Sequence, residues 1–454
     1  MKFGVENLGP IKEANVEIGD LTIICGKNNC GKTYLTYSLY SFLARVRRAF
    51  IFGAPDKYFE TCCKEGKCTI DAKSIWQDLN DNLKPGIKEF IKLDLANCLA
   101  LDPKQIRSDC SILVEIEKDD FLIFVKKSLG IKIQVTEKCS FLINKQKNSS
   151  LLEIVIENTG ARLPKKNNLK KMFDASLSFA FNKIFPDTFS LTGEHSGISI
   201  FADNIADFSR KTDDIFSSSP KLRKQILLSA SNDDPQFPLP VIKELAFFRN
   251  IKRIQRRTSY LASTYPNILN IADALAGGRY DFDDYLGIQY FPENSSQPLS
   301  LVESSSSVKS LVEFNFYLRH CAREDQILMI DEPELNLHPA NQRKLARLLA
   351  MLINAGIKVF ITTHSDYIIR EFNTLICLNQ DKPHIAKIKK EEGYSDAELL
   401  NASQVSAYVA KKSEEGVTFD KAPVSQEDGI TISTLDEVID KMNQVQDAIT
   451  WGAE

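Results

Sequence analysis

Apolar and polar positions change rhythm along this chain, and the changes divide it. At the start, Phe3, Val5, Leu8 and Ile11 alternate with polar residues, Val16 and Ile18 follow, and then comes the apolar run Leu21-Thr22-Ile23-Ile24. That pattern predicts two short antiparallel strands feeding a buried strand. From Thr33 to Arg48, Leu35, Leu39, Phe42 and Leu43 fall at helical spacing, so a helix is expected directly behind that strand.

The rhythm then shifts. After a helical stretch near residues 73–100 come short alternating runs: "CSILVEIE", "FLIFVKK", "IKIQVTE", "SFLINK" and "LLEIVIE". They predict a small antiparallel sheet inserted as its own unit. The segment "NNLKKMFDASLSFAFNKIF" reads as a helix returning to the main body. Residues 204–276 read as mainly helical and carry "RNIKRIQRRTS", where Arg249, Lys252, Arg253 and Arg256 recur at three- and four-residue steps and are expected on one helix face. Two readings of that face stand: a solvated side over the stripe Leu245, Phe248 and Ile251, or a surface for a phosphate backbone or an acidic partner. The expected organisation is an N-terminal lobe (1–49), an inserted α+β unit (50–185), a return strand with a helical lever (186–276) and a C-terminal lobe (277–454).

Composition narrows the class. With 454 residues, 43% of them hydrophobic and 26% charged, the chain is long enough for two or three globular domains. A net charge of −3 means that any DNA contact must come from a local patch. No apolar run reaches membrane-spanning length and "MKFGVENLGP" has no basic-then-apolar leader, so a cytoplasmic protein without membrane contact is expected. The ten cysteines read as reduced thiols, and Cys62, Cys63 and Cys68 lack a second Cys or His pair at zinc-finger spacing.

The chemistry sits at strand ends. Gly26-Lys27-Asn28-Asn29-Cys30-Gly31-Lys32-Thr33 fits G-x-x-x-x-G-K-[ST], between a predicted strand and a predicted helix. Glycines let the backbone N–H groups of this loop, including those of Asn28, Asn29 and Cys30, curl around a phosphate at a helix N-terminus. Lys32 is expected on the β- and γ-phosphates and Thr33 on Mg²⁺, so the implied cofactors are ATP and Mg²⁺. Far along the chain, "ILMI" predicts a buried strand ending in Asp331 and Glu332. Asp331 is then the metal-side acid and Glu332 the group that orients or deprotonates the lytic water; capping of a loop is the other reading. A third apolar run, Ile357–Ile361, leads into Thr362-Thr363-His364, which puts His364 at a strand end as a γ-phosphate or water ligand, or else as a structural histidine.

In this order the motifs resemble the ATP-binding-cassette class of ATPases, in the branch containing SMC, RecF and the OLD-type nuclease ATPases. The resemblance implies an α/β P-loop ATPase head of ABC type, with an inserted antiparallel β subdomain and a helical lever region. It also implies that "ESSSSVKSL" stands in the signature slot. Ser304, Ser305, Ser306 and Ser307 would then open a helix carrying the stripe Val308, Leu311, Val312 and Phe316, and bind the γ-phosphate held by another copy. A linker is the alternative, because the usual signature glycines are absent.

"GKNNCGKT", "SSSSVKSL", "IDEPELNLHP" and "TTHSDYII" together are similar to the AAA15-type, OLD-like ATPases of bacterial anti-phage defence, those of Septu systems among them. That similarity implies a homodimer or higher oligomer around ATP that regulates a separate HNH nuclease subunit. Fewer than 100 residues follow His364, and no nuclease arrangement is seen in this chain. A RecF/SMC-type DNA-binding repair ATPase is the alternative, with the cationic segment as its DNA contact. The segment "LTGEHSGISIF" departs from relatives in carrying His195 where an arginine is common, and no Q-loop glutamine is assigned.

Overall fold

A computed structural model describes residues 1–451 apart from 52–55, 75, 77–85, 117, 161–162, 181–185, 195–196, 200–236 and 296. Strands β1 (Lys2–Leu8) and β2 (Ile11–Glu17) form the hairpin that the alternation predicts, with Phe3 opposite Val16 and Val5 opposite Ala14. β3 (Leu21–Cys25) is buried along its whole length, and α1 (Lys32–Ile51) follows it.

The inserted segment opens with α2 (Asp56–Glu65) and β4 (Lys67–Asp71). Two alternating runs then depart from expectation. Residues of "CSILVEIE" form β5 (Ser111–Glu115), which pairs antiparallel with β1 rather than joining the inserted sheet. β1 offers it a free edge, and Ile112 and Val114 lie opposite Val5 and Phe3. The run "FLIFVKK" lies in a helix, α3 (Lys118–Lys126). Its buried residues Phe121 and Phe124 are three apart with Leu122 exposed, a helical spacing that resembles alternation when read over so few positions. Phe121 stacks on Trp76 at 5.2 Å between centroids.

The remaining runs are strands as expected. β6 (Leu129–Thr136), β7 (Cys139–Lys145) and β8 (Leu151–Asn158) join β4 in an antiparallel sheet of order β4-β8-β7-β6. The amphipathic α4 (Lys166–Ala180) covers it, with Phe173 against Phe141. β9 (Thr188–Leu191) then returns to the main sheet.

The cationic segment does not lie on one helix. α5 (Leu239–Arg249) ends at Asn250, whose backbone sits near φ −95°, ψ 7° and whose side chain donates to the Ala246 carbonyl at 2.7 Å. α6 (Ile251–Ile254) starts afresh, and Arg256 lies in the turn beyond it. Asparagine competes for its own turn's carbonyl and interrupts the helix there. Lys252 is paired with Asp284 at 3.0 Å. Of the region expected to be helical, residues 204–236 fall outside the described residues.

α7 (Pro266–Ala276) leads into a three-stranded antiparallel sheet of β10 (Gly278–Asp283), β11 (Gly287–Pro292) and β12 (Leu299–Ser300). α8 (Ser306–His320) follows, anchored to α7 by the Arg319–Asp273 ion pair at 2.6 Å. Next come β13 (Ile327–Asp331), α9 (Pro339–Asn354), β14 (Lys358–Thr363) and α10 (Asp366–Cys377). The hairpin β15 (Val405–Ser413) and β16 (Gly416–Ala422) and the helix α11 (Ser433–Trp451) complete the described chain.

One nine-stranded sheet, of order β5-β1-β2-β16-β15-β3-β14-β13-β9, organises the α/β fold. From β15 to β9 every neighbouring pair is parallel, which explains why β3 and β13 are buried throughout and mostly apolar rather than alternating. Parallel strands also bring their carboxyl ends to one edge, where ligands of open α/β sheets collect. Among the described residues, no helix is long and apolar enough to cross a membrane.

Candidate nucleotide site

Three distant stretches of sequence meet at that edge. Cys25, the last residue of β3, is in register with Thr363, and Thr362 with Asp331. The loop after β3 turns through Gly26 (φ +149°), Asn29 (φ +61°) and Gly31 (φ +77°). A Cβ on Gly26 would lie 2.7 Å from the Ala410 Cβ, and one on Gly31 would lie 2.9 Å from Ile11 Cγ1 and 3.0 Å from Pro10 Cγ. Both the left-handed backbone at Gly31 and the close approach at each position call for glycine. The loop is thereby wedged between β15 and the β1–β2 turn.

Lys32 opens α1 with its side chain buried, and its Nζ donates to the carbonyls of Gly26 at 2.9 Å and Lys27 at 3.1 Å. The ammonium is thus held inside the curl of its own loop. A cavity of about 410 Å³ lies over it, walled by Pro10, by residues 28–34 and by Glu332. The expected phosphate residues Asn28, Asn29, Cys30, Gly31, Lys32 and Thr33 therefore face one volume, joined by Pro10 and Tyr34, which the loop motif does not mark.

Thr33 Oγ1 donates to Asp331 Oδ2 at 3.1 Å, and the Thr362 hydroxyl donates to Asp331 Oδ1. Burial pushes the Asp331 carboxyl above its ordinary range; the Thr362 and Thr33 hydroxyls pull it back, and the nearby charges of Glu332 and Glu194 push it up again. A hydroxyl and a carboxylate side by side in an acid-rich corner are hard oxygen donors, which fit a divalent cation such as Mg²⁺.

Glu332 adopts a left-handed backbone, φ +55°. For a residue other than glycine this costs about 1–3 kcal/mol and persists only when its surroundings enforce it. Here its N–H donates to the Thr362 carbonyl at 3.1 Å and lies 3.2 Å from the Thr362 hydroxyl. The turn sets the carboxylate into the wall of that cavity while Asp331, one residue earlier, stays beside Thr33.

His364 follows β14 and is half-exposed. Its Nδ1 lies 3.5 Å from Glu332 Oε1 and 3.4 Å from Glu334 Oε1. Glu334 went unassigned in the sequence, although it stands in the same "DEPE" tetrapeptide. It is buried and accepts from the Thr363 hydroxyl at 2.9 Å and from the His364 N–H at 2.8 Å. Burial raises its carboxyl and these donors partly offset the rise. Glu334 thus ties the loop after β13 to the end of β14 and orients His364. Thr363→Val is expected to remove one donor from a buried carboxyl and to cost about 1–3 kcal/mol, measurable by thermal denaturation.

The serines lie apart from this cavity. Ser305 is the N-cap of α8, its hydroxyl accepting from the Val308 N–H and lying 2.9 Å from the Ser307 hydroxyl. Ser304 is buried and donates to the Ser300 carbonyl at 2.8 Å, whereas Ser305 and Ser306 are exposed. None of the four lines the cavity of its own chain. The segment leaving β9 passes over Asp331: a Cβ on Gly193 would lie 3.9 Å from Asp331 Oδ2, and the Tyr37 hydroxyl donates to Glu194 at 3.4 Å. His195 lies outside the described residues.

Residues 1–369 match the family model of the AAA ATPase domain. No curated protein matches the chain. Similar solved structures include an SMC head bound to the C-winged helix domain of ScpA, 11% identical, with 92% of this chain and 97% of that chain covered and a TM-score of 0.35. The SMC head domain from Thermotoga maritima is 10% identical over 93% and 98%, with a TM-score of 0.33. An SMC head domain with an extended coiled coil, bound to the C-terminal domain of ScpA derived from Pyrococcus furiosus, is 11% identical over 98% and 98%, with a TM-score of 0.35.

Proposed function

We propose, because this chain belongs to the AAA ATPase domain family, that it is an ABC-class ATPase whose copies close head-to-tail around ATP and thereby license a separate nuclease subunit. The observation that carries the proposal is the one-sidedness of the cavity. Its walls come from Pro10, residues 28–34 and Glu332, while a serine-capped helix mouth of the kind that binds anions stands exposed elsewhere on the chain. A second copy supplies the missing wall, with Ser305 and Ser306 of one copy toward the γ-phosphate at the other copy's Lys32, while Ser304, expected with them, is buried and bonded within its own chain.

In this reading the loop N–H groups and Lys32 hold the phosphates. Thr33 and Asp331 would hold Mg²⁺, which when bound offsets phosphate charge. Glu332 takes a proton from the attacking water, and His364, flanked by Glu332 and Glu334, fixes the γ-phosphate side of the pocket. Nuclease chemistry is assigned to a partner because the motifs of this chain serve the nucleotide. The four motif strings resemble those of PtuA, the ATPase of the Septu anti-phage system, so the proposed partner is a PtuB-like HNH nuclease. Expressing the chain together with its genetic neighbour and weighing what co-purifies tests the partner; DNA cleavage by the purified chain alone with Mg²⁺ would sink it.

The shared site has its own test. Ser305→Arg puts bulk and positive charge into the helix mouth. ATP turnover is expected to fall by about 10²-fold while nucleotide binding to the single chain is unchanged, because only the second copy's contact is lost. Normal turnover in that variant would return the serines to the status of a linker.

A further inference from the structure

Away from the nucleotide cavity, two acidic side chains meet in the core. Glu244 lies in α5 and Glu313 about two turns into α8, each 1% exposed. Glu244 Oε2 accepts from the Thr192 N–H at 3.1 Å and from its hydroxyl at 2.6 Å, just beyond the end of β9. The other Glu244 oxygen and both oxygens of Glu313 receive no N–H or O–H donor among the described residues. Each carboxyl is the other's side-chain hydrogen-bonding partner when one of the two carries a proton.

A buried carboxylate left without a donor is among the costliest arrangements in a protein interior. Two facing carboxyls satisfy each other only when a proton lies between them. The titratable groups around the pair are Tyr37 of α1, Glu194 beyond β9 and Cys321 at the end of α8, and the Glu194 carboxylate disfavours further negative charge on it. Burial pushes Glu244 up to about 7 and Glu313 well above the carboxylate range.

We propose that Glu244 and Glu313 are positioning residues that share a proton: the singly protonated pair fastens the serine-mouthed helix α8 to α5 and, through Thr192, to the strand end beside Asp331. Losing that proton places like charges in the core, loosens the seating of α8 and slows turnover. The inference rests on the reading of the α8 mouth as a phosphate contact. In the unfolded chain a glutamate gives up its proton in the ordinary carboxylate range, while the folded pair keeps its proton to higher pH. The stability it contributes is therefore present below that range and is lost as pH rises to where the pair gives up the shared proton, well above it.

The test uses the full chain with ATP and Mg²⁺, comparing steady-state turnover and melting temperature from pH ~6 to ~9. Wild-type turnover is expected to fall by about 5-fold or more across that range, and its melting temperature to decline with it. Glu313→Gln, neutral at every pH and able to donate to Glu244, is expected to hold turnover within about 2-fold and to flatten the melting trend, with KM unchanged. Every other group is common to both proteins and cancels in the comparison. If Glu313→Gln does not fold, Glu244→Gln carries the same expectation. Superimposable profiles for wild type and the glutamine variant, alongside an inactive Ser305→Arg, overturn the shared proton and leave the mouth reading intact. A fully active Ser305→Arg overturns the mouth reading and the role of the pair with it.

Discussion

Lys32→Ala is expected to weaken ATP binding by about 10²-fold or more, read by calorimetry or by retention of a fluorescent nucleotide. The magnitude follows from where the ammonium sits. It is buried at the start of α1 and bonded to the carbonyls of Gly26 and Lys27, inside the loop that is to receive the phosphates. Charge-assisted hydrogen bonds are roughly twice as strong as neutral ones, and more so where water is excluded. The truncation also strips two loop carbonyls of their donor, so the empty loop loses part of what shapes it. Lys32→Arg is no rescue, because a planar fork cannot reproduce a point charge in this curl. Unimpaired binding by Lys32→Ala would remove the loop from the nucleotide site altogether.

Glu332→Gln is expected to keep ATP and lose hydrolysis, with turnover lower by about 10²–10⁴-fold, the usual contribution of a general base. The amide keeps the shape of the side chain and cannot accept the proton of the water. Because binding survives while the product never forms, the closed pair of copies accumulates. Size-exclusion chromatography of the variant with ATP is therefore expected to show a larger species than the nucleotide-free protein. The left-handed turn at Glu332 makes the experiment discriminating. Glutamine tolerates that backbone as well as glutamate does, so loss of activity reports chemistry and not a rearranged loop. Rapid turnover by Glu332→Gln would show that the base is another group.

Much of this site is legible in the sequence because it is built from local rules. The P-loop spacing specifies its own backbone, and an apolar run ending in Asp331 is recognisable as a buried parallel strand. The Ser305 cap of α8 was readable for the same reason, since a hydroxyl before an apolar helical stripe is a local signal. Glu334 escaped because what makes it important is burial against Thr363 and the His364 N–H, a tertiary fact with no periodicity. The pairing of β5 with β1 escaped because a short alternating run carries no label for the sheet it joins. Nothing in the sequence marks Glu244 and Glu313, and only the fold buries them. The cationic segment was misread over Asn250, one residue whose side chain captures a carbonyl of its own helix.

The strand β5 gives the inserted segment a grip on the rest of the molecule. It is laced to β1 from Lys2 through Glu6, and β1 runs on into the turn whose Pro10 walls the phosphate cavity and crowds Gly31. Any displacement of residues 111–115 must therefore be accommodated by the strand that leads to Pro10 and the cavity wall.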